Sequence, residues 1–140
     1  MQSLKTLTIL FRALKSVEQQ IREDIRRYGL NTTEFGVLEV LYHKGPLTIQ
    51  EVKEKVLIAA SSMSYVIDTL VKKAYVKRVK HSYDKRSYVL ELTPEGQSKM
   101  DGIYPMHVAS MRKRLDVLGN DEAVLQKLLK QLGTYQKKDL

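Results

Sequence analysis

The sequence predicts a mostly α-helical fold carrying one small β-hairpin, and three observations predict it. Apolar residues recur at steps of three and four along most of the chain, the spacing of one helical face. Two short stretches rich in β-branched and aromatic residues, 75–80 and 87–92, flank a polar loop. Capping residues and Gly or Pro breakers punctuate the periodic segments. With 140 residues, 43% of them apolar, one compact domain is expected.

The first helix runs from Leu4 to Tyr28, with Leu4, Leu7, Phe11, Leu14, Val17, Ile21, Ile25 and Tyr28 on one face. Gly29 ends it, since glycine tolerates the left-handed conformation that a Cβ resists. Asn31 and Glu34 stand three apart as a capping box for a second helix filled by Val37, Leu38, Val40 and Leu41. Lys44-Gly45-Pro46 stops it. Thr48 and Glu51 form another box, opening a short helix to about Val56 with Ile49, Val52 and Val56 inward. After a break at residues 57–60, a helix begins near Ser61 and runs to about Lys73 on a stripe of Met63, Val66, Ile67 and Leu70. The hairpin follows, with its charged tip at residues 81–86. Thr93, Pro94 and Glu95 restart helix with a cap, a proline at the first position and an acid in the first turn. Met100, Tyr104, Val108, Met111, Leu115 and Leu118 carry it to Gly119, and Pro105 is expected to kink or split it. Asn120 caps a last helix through Leu125, Leu128, Leu129, Leu132 and Tyr135.

Two short helices with a tight break between them form a helix-turn-helix, and a hairpin behind the second makes it winged, between about Leu47 and Leu92. The series Leu70-Val71-Lys72-Lys73-Ala74-Tyr75-Val76-Lys77-Arg78, then Asp84-Lys85-Arg86, then Leu92-Thr93-Pro94-Glu95-Gly96 resembles the MarR family of winged helix-turn-helix regulators. The resemblance covers essentially the whole chain. Where family members commonly have Gly after the recognition helix, this chain has Ala74, so that turn is either different or strained by about 1 kcal/mol. The resemblance implies a homodimer built from the terminal helices (residues 1–30 and 94–140) around a winged DNA-binding domain (residues 31–93). It also implies a pseudo-palindromic duplex as partner, repression as the commoner outcome, and release by a small aromatic or phenolic effector. By position, Phe11, Tyr42, Tyr104, His107 and Met111 are candidates to line the effector's pocket, and each also fits as plain core. Leucines 115, 118, 125, 128 and 132 argue separately for dimerisation, because left in water they would be an aggregation hazard.

The net charge of +8 calls for a polyanionic partner, nucleic acid or an anionic membrane surface. Lys72, Lys73, Lys77, Arg78, Lys80, Lys85 and Arg86 face the single acid Asp84 within fifteen residues, the footprint expected for phosphate contact. A solvated basic face is the plain alternative. Arg86 at the hairpin tip suits a narrow minor groove, and Asp84 can orient its guanidinium. In the motif that carries the resemblance this Asp-x-Arg pair belongs to the wing tip. Ser61, Ser62, Ser64 and Tyr65 lie at the N-terminal turns that a helix-turn-helix presents to base edges, with Ser61 equally a candidate N-cap. Lys72 and Lys80 complete the predicted DNA-binding set.

Without Cys there is no disulfide, thiolate ligation or thiol-oxidation switch. His43, His81 and His107 are dispersed, and no metal or cofactor is expected. No Gly-rich phosphate loop, nucleophile elbow or paired carboxylates mark an enzyme. The N-terminus lacks a signal-peptide core and no stretch suits a membrane span, so a cytoplasmic location is expected. A winged-helix module docking on an acidic protein or membrane surface stays open beside DNA binding, although Glu18, Glu23 and Asp24 in the first helix suit a membrane poorly.

Overall fold

The computed structural model describes residues 2–57, 62–80 and 88–134. The chain forms two compact units, Met1–His107 and Val108–Leu140. Helix α1 spans Lys5–Arg26, α2 Thr32–Lys44, α3 Ile49–Lys55, α4 Met63–Lys72, α5 Pro94–Leu115 and α6 Asp121–Gly133. Strands β1 (Leu47–Thr48), β2 (Val76–Lys80) and β3 (Tyr88–Leu92) form an antiparallel sheet in the order β1-β3-β2. Register pairs Val76 with Leu92 and Lys80 with Tyr88 across the hairpin, and Leu47 with Leu90 on the other side.

Local chemistry explains most boundaries. Both capping boxes close in both directions, with the amide of Glu34 donating to Asn31 Oδ1 at 2.8 Å and that of Asn31 to Glu34 Oε1 at 3.0 Å. The Thr48–Glu51 box does the same for α3. Gly29 takes φ +75°, so the chain turns after α1 in the conformation expected of glycine. The core of the first unit lies where α2, α4 and the sheet meet, and Val37, Leu38, Val52, Ile67, Leu70, Leu90 and Met100 are fully enclosed there. The whole predicted stripe of α4, Met63, Val66, Ile67 and Leu70, is buried.

Four expectations change. Strand β1 has no counterpart in the sequence pattern, because two residues are too few for an alternation; β3 recruits them as an edge. Helix α4 begins at Met63, so its N-cap residue is Ser62 rather than Ser61, and the Ser62 side chain makes no capping hydrogen bond. Pro105 does not split α5, which is continuous from Pro94 to Leu115. Proline forfeits one helical donor, but Asp101 and Pro105 are both exposed, so water can take the carbonyl that donor would have served. The buried face of α5 in the first unit is Met100, Ile103 and His107, while Val108 and Leu115 of the predicted stripe are exposed.

In the second unit α5 gives way to a 3₁₀ turn at Asp116–Leu118 and then α6. Arg112 fastens these pieces, donating from Nη2 to Asp116 and Glu122 at 2.6 Å each and from Nη1 to Glu122 at 3.1 Å. The same bonds push the guanidinium pKa up and hold the Glu122 carboxyl below its usual range. Leu125, Leu128, Leu129 and Leu132 of α6 are all substantially exposed in the single chain. Among the described residues no helix is long and apolar enough to cross a membrane.

Candidate nucleic-acid interface

Helix α4 is amphipathic in a useful way. Burying Met63, Val66, Ile67 and Leu70 leaves Ser62, Ser64, Tyr65 and Asp68 exposed on the opposite side, with Tyr65 at 70% relative exposure. Ser64, Asp68 and Lys72 stand at intervals of four and therefore share one line along the helix. Asp68 is absent from the sequence-derived set, although the period that selects Ser64 also selects it. An acid there repels phosphate unless it is paired, and its carboxylate is held by the Arg78 guanidinium of β2.

The basic run resolves into two kinds of cation. Lys73 Nζ lies 2.7 Å from the nearly buried Glu34 carboxylate, Lys77 lies 3.0 Å from Glu91, and Arg78 is on Asp68. Lys72 and Lys80 are exposed and make no ion pair among the described residues. The sequence could not separate the two groups, because Glu34 is distant along the chain and only the fold brings it to Lys73. Ser61, Asp84, Lys85 and Arg86 lie outside the described residues.

The turn leaving α4 is unusual. The amides of Ala74 and Tyr75 donate to the carbonyls of Val71 and Leu70 at 3.0 Å, the paired bonds of a Schellman motif. Ala74 consequently sits at φ +63°, so the strained alternative holds. The cost to a residue with a Cβ is about 1–2 kcal/mol.

A second feature is a cavity of about 490 Å³ lined by Ile21 of α1, Phe35, Val40 and His43 of α2, Leu57, and His107 of α5. Of the five predicted effector residues only His107 lines it. Tyr42 and Tyr104 do not line it but pack against its His43, with their ring centroids 5.6 Å apart at a tilt of 56° and Tyr104 edge-on to His43 at 4.8 Å. The Tyr42 hydroxyl donates to Asp101 at 2.8 Å, which raises the phenol's pKa. Phe11 is 62% exposed on α1 and does not line the cavity. Met111 belongs to the second unit.

Sequence reasoning missed what holds His107. Its Nδ1 lies 2.7 Å from Oδ2 of Asp24, and the Tyr28 hydroxyl donates to the same oxygen at 3.0 Å. Asp24 is 3% exposed, so this acid of α1 is an internal acceptor and not a solvated charge. Burial, then the bond to Asp24, pushes the Tyr28 phenol up to about 12. Among the described residues no cluster of three or more His, Asp or Glu is arranged to hold a metal ion.

Comparison with known proteins bears on the same elements. The model of the MarR family matches residues 28–87. The HTH-type transcriptional regulator MhqR of Bacillus subtilis (strain 168) is 35% identical over 97% of this chain and 94% of its own length. Among solved structures, the chain is similar to Sco3205, a MarR family transcriptional regulator from Streptomyces coelicolor in complex with DNA. That likeness has a TM-score of 0.84 at 22% identity and covers 100% of this chain and 97% of the other. NadR in complex with 4-hydroxyphenylacetate aligns at a TM-score of 0.76 and 24% identity over 97% and 99% of the two chains. At these identities the two structures establish the fold; family membership rests on the family match and the full-length relative. The chain belongs to the MarR family of winged helix-turn-helix, DNA-binding transcriptional regulators.

Proposed function

We propose that the protein is a homodimeric repressor that reads a pseudo-palindromic duplex and is released by a small aromatic ligand. The observation that carries the DNA reading is the division of α4, apolar side enclosed, with Ser62, Ser64 and Tyr65 exposed at its N-terminal end. Those residues enter the major groove of one half-site, where hydroxyls serve base edges or phosphates at close approach. Lys72 and Lys80, which make no ion pair among the described residues, take phosphates. Arg86, oriented by Asp84 with Lys85 beside it, is assigned from the sequence to the adjacent minor groove.

The exposed leucines of α6 and the exposed Leu7, Phe11 and Leu14 of α1, with Leu4 just before it, support dimerisation, since each helix leaves an apolar face uncovered in the single chain. The cavity beside His107 supports an effector with an apolar body and one polar group. A ligand there lowers DNA affinity only by favouring a different arrangement of the chain. The phenolic acid held by the NadR structure is a reasonable first probe.

The test is a titration with duplexes selected from a random library. Log K against log salt should fall with a slope of roughly −0.9 per neutralised phosphate, and the selected site should be two-fold symmetric. Arg86→Ala should weaken binding while leaving the protein folded. No binding to any duplex at low salt refutes the reading.

A further inference from the structure

We infer that Thr93 is a positioning residue for DNA recognition, setting the orientation of α4 through the strained turn at Ala74. The inference rests on the proposal that α4 enters DNA. Alanine does not favour φ +63° by itself, so surrounding contacts must hold it there. Beside the two bonds of the Schellman turn itself, they come from Thr93, the residue between β3 and α5. Its hydroxyl donates to the carbonyl of Ala74 and accepts from the amide of Gly96 at 3.0 Å. Its own amide donates to the carbonyl of Tyr75 at 3.1 Å. Gly96 makes this approach possible, because a Cβ there would lie 2.1 Å from the Tyr75 oxygen.

The Thr93 hydroxyl therefore joins the end of α4 to the first turn of α5, the helix that carries His107 to the cavity, while the Thr93 amide holds the base of the wing. The lever is long. From Leu70 to Ser62 is eight residues, about 12 Å of helix. A tilt of about 5° at the turn displaces Ser62 by roughly 1 Å, enough to take a contact out of hydrogen-bonding range. Net charge is untouched by Thr93, so a role in aim differs from a role in phosphate attraction.

The experiment compares Thr93→Val, Thr93→Ser, Ala74→Gly and the Thr93→Val/Ala74→Gly double variant by circular dichroism, melting temperature and DNA affinity, well below the lowest melting point. The probes are a duplex that the unaltered protein selects from a random library and a scrambled duplex of equal length. Thr93→Val should lose about tenfold on the selected duplex, the effect of one ordinary hydrogen bond, and little on the scrambled one. Thr93→Ser should bind like the unaltered protein. Glycine adopts the left-handed turn unaided, so Ala74→Gly should restore the double variant to within about threefold of its own single-variant affinity. Unchanged affinity in Thr93→Val overturns the inference. So does an equal loss on both duplexes, or a loss that persists in the Ala74→Gly background, which would leave Thr93 as a cap of α5 only. Failure of the unaltered protein to select any duplex instead refutes the DNA reading beneath it.

Discussion

Substituting the same pair of residues at two places in α5 should move stability in opposite directions. At Gly96 an added Cβ would meet the Tyr75 carbonyl oxygen at 2.1 Å, whereas real Cβ contacts essentially never fall under 3.0 Å. The obstacle is backbone, so it cannot swing aside as a flexible side chain would. Relief requires about 1 Å of movement between α5 and the turn after α4, which strains the packing by about 1–3 kcal/mol. It also disrupts the Thr93 amide bond to Tyr75, worth about 1 kcal/mol more. For a chain of this size, at about 3 °C per kcal/mol, Gly96→Ala should lower the melting temperature by roughly 6–12 °C. Gly102 has nothing within 4 Å of its added Cβ. There alanine only improves helix propensity, by about 0.5–1 kcal/mol, and should raise the melting temperature by roughly 2–3 °C. The assay is thermal unfolding followed at 222 nm in the far ultraviolet. Protein concentration must be fixed, because self-association shifts the midpoint. Gly96→Ala melting within a degree of the unaltered protein would refute the close-contact argument.

Asp24→Ala removes the shared acceptor of His107 and Tyr28 and should cost about 2–4 kcal/mol in urea unfolding; a loss under about 0.5 kcal/mol would contradict an internal role for Asp24. Tyr28 should ionise late in an ultraviolet titration, since its phenol is raised from its usual value of 10 to about 12. The native state favours the neutral form, so this stabilisation is fully present below about pH 10 and is lost as pH rises through about 12; loss of the late phase in Tyr28→Phe is the check. Lys80→Ala should reduce the salt slope of DNA binding by about 0.9. Arg78→Ala should weaken binding further by leaving the Asp68 carboxylate unpaired beside phosphate, and Asp68→Asn in that background should recover part of the loss.

Much of the fold was legible because its signals are local. A capping box spans four residues, and both boxes close as their sequence predicts. The enclosed stripe of α4 follows from helical period alone. Ala74 was legible as a strained position from its place in a motif, and it is the one non-glycine residue at positive φ among those described. Strand β1 was not legible, because two residues carry no period and pairing with β3 defines them. Of the kink or split expected at Pro105, the split does not occur, because an exposed carbonyl has water to turn to. Phe11 was grouped with Tyr42, Tyr104 and His107 by position, but only the last three come together.

By itself the sequence determined the order of the helices and the hairpin, the family motif and which face of α4 is apolar, since each depends on residues within a few turns of one another. Tertiary structure decided which charges are free. Glu34 takes Lys73 from 39 positions away, Asp68 takes Arg78, and Asp24 reaches His107 across 83 positions. Period and propensity describe a segment's own backbone, whereas these pairs exist only once helices from distant parts of the chain have been brought to one place by burial of their apolar faces.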